Sequence, residues 1–105
     1  MTRLTVQETP MFIRSIREFW TDEEREEFIN WISINFILGD VMPGYGGLRK
    51  VRWRSLGKGK RSGTRVIYFN KLQEGKVVLL IAYQKSEFDN LSESFLKRLR
   101  EEMMK

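Results

Sequence analysis

The stretch 48–65, LRKVRWRSLGKGKRSGTR, carries Arg49, Lys50, Arg52, Arg54, Lys58, Lys60, Arg61 and Arg65 and no acidic residue. The whole chain has 19 Lys+Arg against 14 Asp+Glu, a net charge of +5, so removing these eight cations reverses its sign. The basic character is local, and a local positive field attracts a polyanion, most commonly a phosphate backbone. Arginine stays protonated and cannot serve as a base. Lysine, ordinarily titrating near ~10.4, loses its proton more readily beside like charges. RNA brings its own nucleophile, the 2′-hydroxyl. A protein that positions it, neutralises the phosphorane and protonates the leaving 5′ oxygen needs no histidine.

Three readings of this constellation compete. The first is a solvated basic hairpin that only confers solubility. The second is a noncatalytic nucleic-acid contact, with Tyr45, Tyr68 and Tyr83 as stacking groups for single-stranded RNA. The third is catalysis of RNA self-cleavage. Conventional catalysts are scarce: the chain has no His and no Cys, and its carboxylates cluster in 22–27 and near the C-terminus. Disulfides, thiolate metal sites and cysteine nucleophiles are excluded, a zinc site is not expected, and no cofactor is called for.

The elements that must position these cations follow from pattern. At 105 residues, 41% apolar and 12% aromatic, the chain is read as one domain, 1–105, able to bury a single core. Arg3 to Gln7 alternates as a short strand. Thr9-Pro10 starts a helix, with Phe12, Ile13, Ile16, Phe19 and Trp20 at helical spacing. Thr21 and Glu24 form a capping box for a second helix, whose stripe is Phe28, Ile29, Trp31, Ile32 and Phe36 and which Gly39 ends. Gly39 to Gly47, GDVMPGYGG, reads as a loop. It is no dinucleotide fingerprint, because the third glycine would fall at Arg49.

Three strands follow. Leu48 to Arg54 sets Lys50, Arg52 and Arg54 on one face, opposite Arg49, Val51 and Trp53. Ser55 to Gly63 is a basic hairpin loop. Thr64 to Asn70 opposes Val66 and Tyr68 to Arg65, Ile67 and Phe69. Lys76 to Lys85 is the most apolar strand and so the central one. Ser92 caps a last helix reaching Met103. These elements predict an α+β domain: a mainly antiparallel four-stranded sheet, two N-terminal helices on one face and a C-terminal helix. With the helices on one face, the other is expected to be open, and Arg65 and Lys85 can join the cations there. The longest apolar run, Val77 to Tyr83, is far below the ~20 residues of a membrane span. The N-terminus carries no apolar signal core, so a cytoplasmic protein without membrane contact is expected.

The stretches GDVMPGYGGLRKVRW, GKGKRSGTRVIYF and VVLLIAYQKSEFDNLS closely resemble the RelE/HigB family of bacterial toxins, in its HigB-like branch. The resemblance is strong over 38–92 and implies a RelE-like fold. It implies a toxin of a type II toxin–antitoxin system, an endoribonuclease (mRNA interferase) that cuts mRNA in the decoding site of the ribosome and stops translation. It implies a cognate HigA-like helix-turn-helix antitoxin as partner and a toxin that is monomeric alone. Arg65 matches the arginine of the family's SGxR stretch and would stabilise the phosphorane. Lys85 would stabilise the transition state or transfer a proton, with Lys50 and Arg52 beside it. Lys58, Lys60, Arg61 and Arg54 would hold RNA phosphates. Ser86 stands where the RelE branch has an arginine, and no tyrosine follows Tyr83, so any stacking role falls to Tyr83 or Tyr68. A degenerate toxin retaining only antitoxin binding is the remaining alternative.

Overall fold

The computed structural model describes residues 2–18, 20–53, 63–84 and 91–104. The elements are β1 (Thr5–Glu8), α1 (Pro10–Ile16), α2 (Asp22–Ile34), β2 (Asp40–Val41), β3 (Arg49–Trp53), β4 (Thr64–Lys71), β5 (Lys76–Gln84) and α3 (Glu93–Met103). A 3-10 turn, Leu72–Glu74, joins β4 to β5, and Gly75 closes it at φ 68°. The strands lie in the order β1-β5-β4-β3-β2. Among the described residues, β1 runs parallel to β5 and the other strand pairs are antiparallel. The fold class is therefore the expected α+β one. The fifth strand comes from the GDVMPGYGG stretch read as a loop, where Asp40 pairs with Lys50 and Val41 with Arg49.

The N-caps of α1, α2 and α3 all form, that of α3 with Ser92 Oγ accepting from Phe95 N at 3.2 Å. Thr9 Oγ1 accepts from Phe12 N at 3.1 Å, with Pro10 in the first turn. Thr21 and Glu24 bond reciprocally, Glu24 N to Thr21 Oγ1 at 3.1 Å and Thr21 N to Glu24 Oε1 at 2.8 Å. The helices stop earlier than the apolar spacing suggested. At the end of α1, Ser15 Oγ donates to Phe12 O at 2.7 Å, a local bond that competes with helical continuation. α2 ends at Ile34, not at Gly39: Asn35 is its C-cap, where the backbone leaves helical geometry at φ −100° and ψ 34°, and its Nδ2 donates at 2.9 Å to Trp31 O, the carbonyl that its own backbone N also takes as the last helical bond. Arg25 grips Glu8 through two bonds of 2.6 and 2.7 Å and fastens α2 to β1. That bond holds the Arg25 guanidinium even more firmly protonated than usual.

Two cores flank the sheet. Phe12, Ile16, Phe28 and Ile32 of α1 and α2 meet Val51, Val66, Tyr68, Val77, Leu79 and Ala82 on one face. Trp53 closes that core at the β3 end, its ring 5.0 Å from Trp31 and 5.4 Å from Phe28. Leu96 and Leu99 of α3 meet Leu48, Ile67, Val78, Leu80 and Tyr83 on the other. The face opposite α1 and α2 is thus not wholly open, as expected from sequence, but shared between α3 and the cations. The reason is β5: with Val78, Leu80 and Ile81 on one side and Val77 and Leu79 on the other, it is apolar on both faces and needs cover on both. Among the described residues no helix is long and apolar enough to cross a membrane.

Candidate nucleic-acid interface

Antiparallel partners share a face, so register decides which side chains meet. Arg52 of β3 pairs with Arg65 of β4, and Arg65 pairs in turn with Tyr83 of β5. One row thus runs Arg52–Arg65–Tyr83 across three strands on the α3 face. The next row runs Asp40–Lys50–Ile67–Ile81. Lys50, Arg52, Arg65 and Tyr83 are therefore brought together. Arg52 is exposed, while Lys50 and Arg65 are half-buried.

Tyr83 reaches this face through an irregularity. Ile67 pairs with Ile81 but Tyr68 pairs with Leu79, so Leu80 is an extra residue in β5. The bulge shifts the alternation, and Val77 and Ala82 point to the same side although five positions separate them. Gln84 Nε2 then donates to Thr64 Oγ1 at 3.1 Å within the sheet, pinning the two strands beside the Arg65–Tyr83 pair.

Arg65 is the middle residue of its row, between Arg52 and Tyr83. Its Nη1 is enclosed and has no hydrogen-bond partner among the described residues. Enclosed donors on charged groups are costly to leave unpaired, and a phosphate oxygen is the acceptor that suits a guanidinium fork. The indole N–H of Trp53 is likewise enclosed and unpaired, but it lies on the α1/α2 face and belongs to the aromatic core.

The two tyrosines separate. Tyr68 is 0% exposed, and its hydroxyl donates to Phe36 O at 2.9 Å and accepts from Gly39 N at 3.0 Å. A Cβ on Gly39 would collide with that hydroxyl. Tyr68 is a structural tie between the sheet and the end of α2, and the expectation that it contacts RNA is corrected: its strand parity turns the ring inward. Tyr83 is only 3% exposed and packs under α3, so its ring is not presented for base stacking. Burial pushes its phenol up, against the opposing pull of the Arg65 charge, and at neutral pH it is a protonated neighbour of the guanidinium.

Of the eight cations, Arg49 faces away from the site. Its Nη1 donates to Ile37 O at 3.0 Å and Gly39 O at 2.8 Å, completing the tie made by Tyr68. Lys85, Arg54, Lys58, Lys60 and Arg61 lie outside the described residues. Sequence reasoning missed Asp40, a carboxylate placed on the basic face opposite Lys50. The only signal for it was a polar residue beside Val41, because a two-residue strand is too short for periodicity to register.

No protein-family model matches the chain. Its fold is shared with solved structures of an Escherichia coli toxin. The free RelE toxin carrying two arginine-to-alanine changes matches with a TM-score of 0.59 at 14% identity, over 84% of this chain and 90% of that one. The isolated RelE toxin gives 0.57 at 13% identity over 93% and 97%, and the intact RelBE toxin–antitoxin complex gives 0.56 at 13% over 77% and 95%. At these identities the likeness carries the fold: the architecture is RelE-like.

Proposed function

We propose that this chain is the toxin of a type II toxin–antitoxin pair, a ribosome-dependent endoribonuclease that cuts mRNA by directing a 2′-hydroxyl onto the neighbouring phosphodiester. One observation carries the reading: Arg52 and Arg65 stand opposite each other on one sheet face, and Arg65 holds there an enclosed guanidinium nitrogen with no hydrogen-bond partner among the described residues. In the reaction the 2′ oxygen bonds to phosphorus and loses its proton. The bond from phosphorus to the 5′ oxygen breaks, and that oxygen gains a proton. A 2′,3′-cyclic phosphate and a 5′-hydroxyl end result. Arg65 and Arg52 neutralise the charge that builds on the phosphorane oxygens. Lys50 holds the flanking phosphate, and Lys85 supplies the proton-transfer group. Lys58, Lys60, Arg61 and Arg54 extend the contact to mRNA and ribosomal RNA phosphates.

The proposed partner is a HigA-like helix-turn-helix antitoxin, supported by the sequence resemblance and by the match to a toxin–antitoxin complex. Replacing the 2′-hydroxyl by hydrogen at the cut nucleotide tests the mechanism: cleavage on translating ribosomes stops if that hydroxyl attacks, and continued cutting rejects it. A noncatalytic RNA-binding module is the second reading. It is favoured by one observation, that Tyr83, the titratable group paired with Arg65, is buried and protonated. Both readings predict strong salt dependence. Primer extension on mRNA from expressing cells separates them, since new 5′ ends inside translated codons require the enzyme.

A further inference from the structure

Gly63 leads into β4 at φ 107°, a conformation side-chain-bearing residues rarely adopt, and it is buried. A Cβ built there would stand 3.2 Å from Arg52 Cγ, 3.6 Å from Arg52 Cδ and 3.3 Å from the Trp53 carbonyl oxygen. The aliphatic stem of Arg52 therefore lies along the bare backbone of Gly63. Yet the register partner of Arg52 is Arg65, two residues further on. Arg52 starts opposite one guanidinium and leans toward the position that has no side chain. Two like charges directly opposite repel. A stem that runs over Gly63, two residues from Arg65, gives the Arg52 head a course away from the directly opposed position while the strand register keeps both side chains on the same face.

We infer that Gly63 is a positioning residue: it seats the Arg52 stem so that the Arg52 and Arg65 guanidiniums stand apart as two prongs for one phosphodiester. The inference rests on the endoribonuclease reading and deepens it. A methyl at position 63 forces the Arg52 stem to shift by a few tenths of an ångström. Displacements of that order disturb the aligned geometry in-line attack requires. The positive φ alone would also call for glycine, so the experiment must separate backbone strain from the seat.

A double-mutant cycle does so. Single-turnover cleavage on translating ribosomes is measured for the wild type, Gly63→Ala, Arg52→Ala and the double variant, with melting temperature alongside. Gly63→Ala is expected to slow cleavage about tenfold with ribosome association unchanged. Arg52→Ala is expected to slow it about 100-fold, and the double variant no further. The loss in melting temperature recurs in both backgrounds, because strain at φ 107° does not depend on Arg52. Equal slowing by Gly63→Ala in both backgrounds, or no slowing in the folded single variant, overturns the inference.

Should Gly63→Ala not fold, or the wild type not cleave, NMR of the wild-type protein decides. The seat requires an NOE between the Gly63 Hα protons and the Arg52 Hγ protons. It also requires the Nε–Hε signals of Arg52 and Arg65 to shift together on titration with a 2′-deoxy oligonucleotide. Both present without cleavage leaves the phosphate seat standing and removes the enzyme reading. A missing NOE, or a shift in only one arginine, overturns the seat.

Discussion

Arg52 and Arg65 are register partners across β3 and β4, so two guanidiniums start from directly opposite positions on one face. Cross-strand like charges weaken a sheet, and the enclosed Nη1 of Arg65 adds a further penalty. Stability alone would place an apolar pair here, as it does in the neighbouring pair of Val51 and Val66. Local departures from stable packing concentrate where function needs them.

Replacing Arg65 by Met therefore has opposite effects on stability and activity. The variant is expected to unfold at higher denaturant, by about 1 kcal/mol, since an enclosed donor without a partner among the described residues disappears. Cleavage on the ribosome is expected to fall by about 100-fold or more while ribosome association persists. A chemical melt with a parallel cleavage assay checks both. A less stable Arg65→Met would make the guanidinium a structural brace.

Tyr68→Phe removes one oxygen that serves two backbone groups, Phe36 O and Gly39 N. Both are buried with it, so the loss is expected to be about 1–3 kcal/mol of stability. The activity of the folded fraction is expected to be unchanged, because the ring faces away from Arg52 and Arg65. Denaturant titration and cleavage normalised to folded protein measure this. Lost activity at full folding would return Tyr68 to the RNA-contacting set.

Burial raises the phenol pKa of both Tyr68 and Tyr83. Their protonated forms are favoured in the folded state. The associated stability is complete below the ordinary tyrosine range near ~10 and is lost as pH rises through the higher folded values. Stability is thus expected to be insensitive to these groups at neutral pH and to decline in alkali. Denaturant midpoints across pH 7 to 11, repeated on Tyr83→Phe, test the sign: the variant is expected to lose part of the alkaline decline. The cleavage–pH profile is expected to show no neutral-range limb that Tyr83→Phe removes.

Asp40 pairs with Lys50 from the edge strand and opposes the field of the basic face. Asp40→Asn is expected to tighten RNA binding two- to threefold in low salt, with the gain vanishing near ~0.5 M, where the Debye length is a few ångströms. Affinity measured at two ionic strengths is the check. A collapse of cleavage instead would assign this carboxylate a proton-transfer role.

Much of the frame was legible in advance because its signals are local. The capping box at Thr21 and Glu24 and the start at Thr9-Pro10 concern groups a few residues apart. The alternation that puts Lys50 and Arg52 on one face and Val51 on the other is a property of any extended strand. Apolar spacing continues past the ends of α1 and α2, while the side chains of Ser15 and Asn35 bond carbonyls of the last turns, a local effect that spacing does not show.

By itself, the sequence determined the order of the elements, the α+β class and the concentration of positive charge in one hairpin. Each depends on contacts or repulsions between near neighbours. Tertiary structure decided what depends on register and cover. It added β2 and so brought Asp40 to Lys50. It folded α3 onto the second face and buried Tyr83. Through the extra residue Leu80, it reset the alternation of β5 so that Tyr83 is aligned with Arg65. A one-residue slip between strands reverses every side chain beyond it, and no local pattern records where the slip occurs.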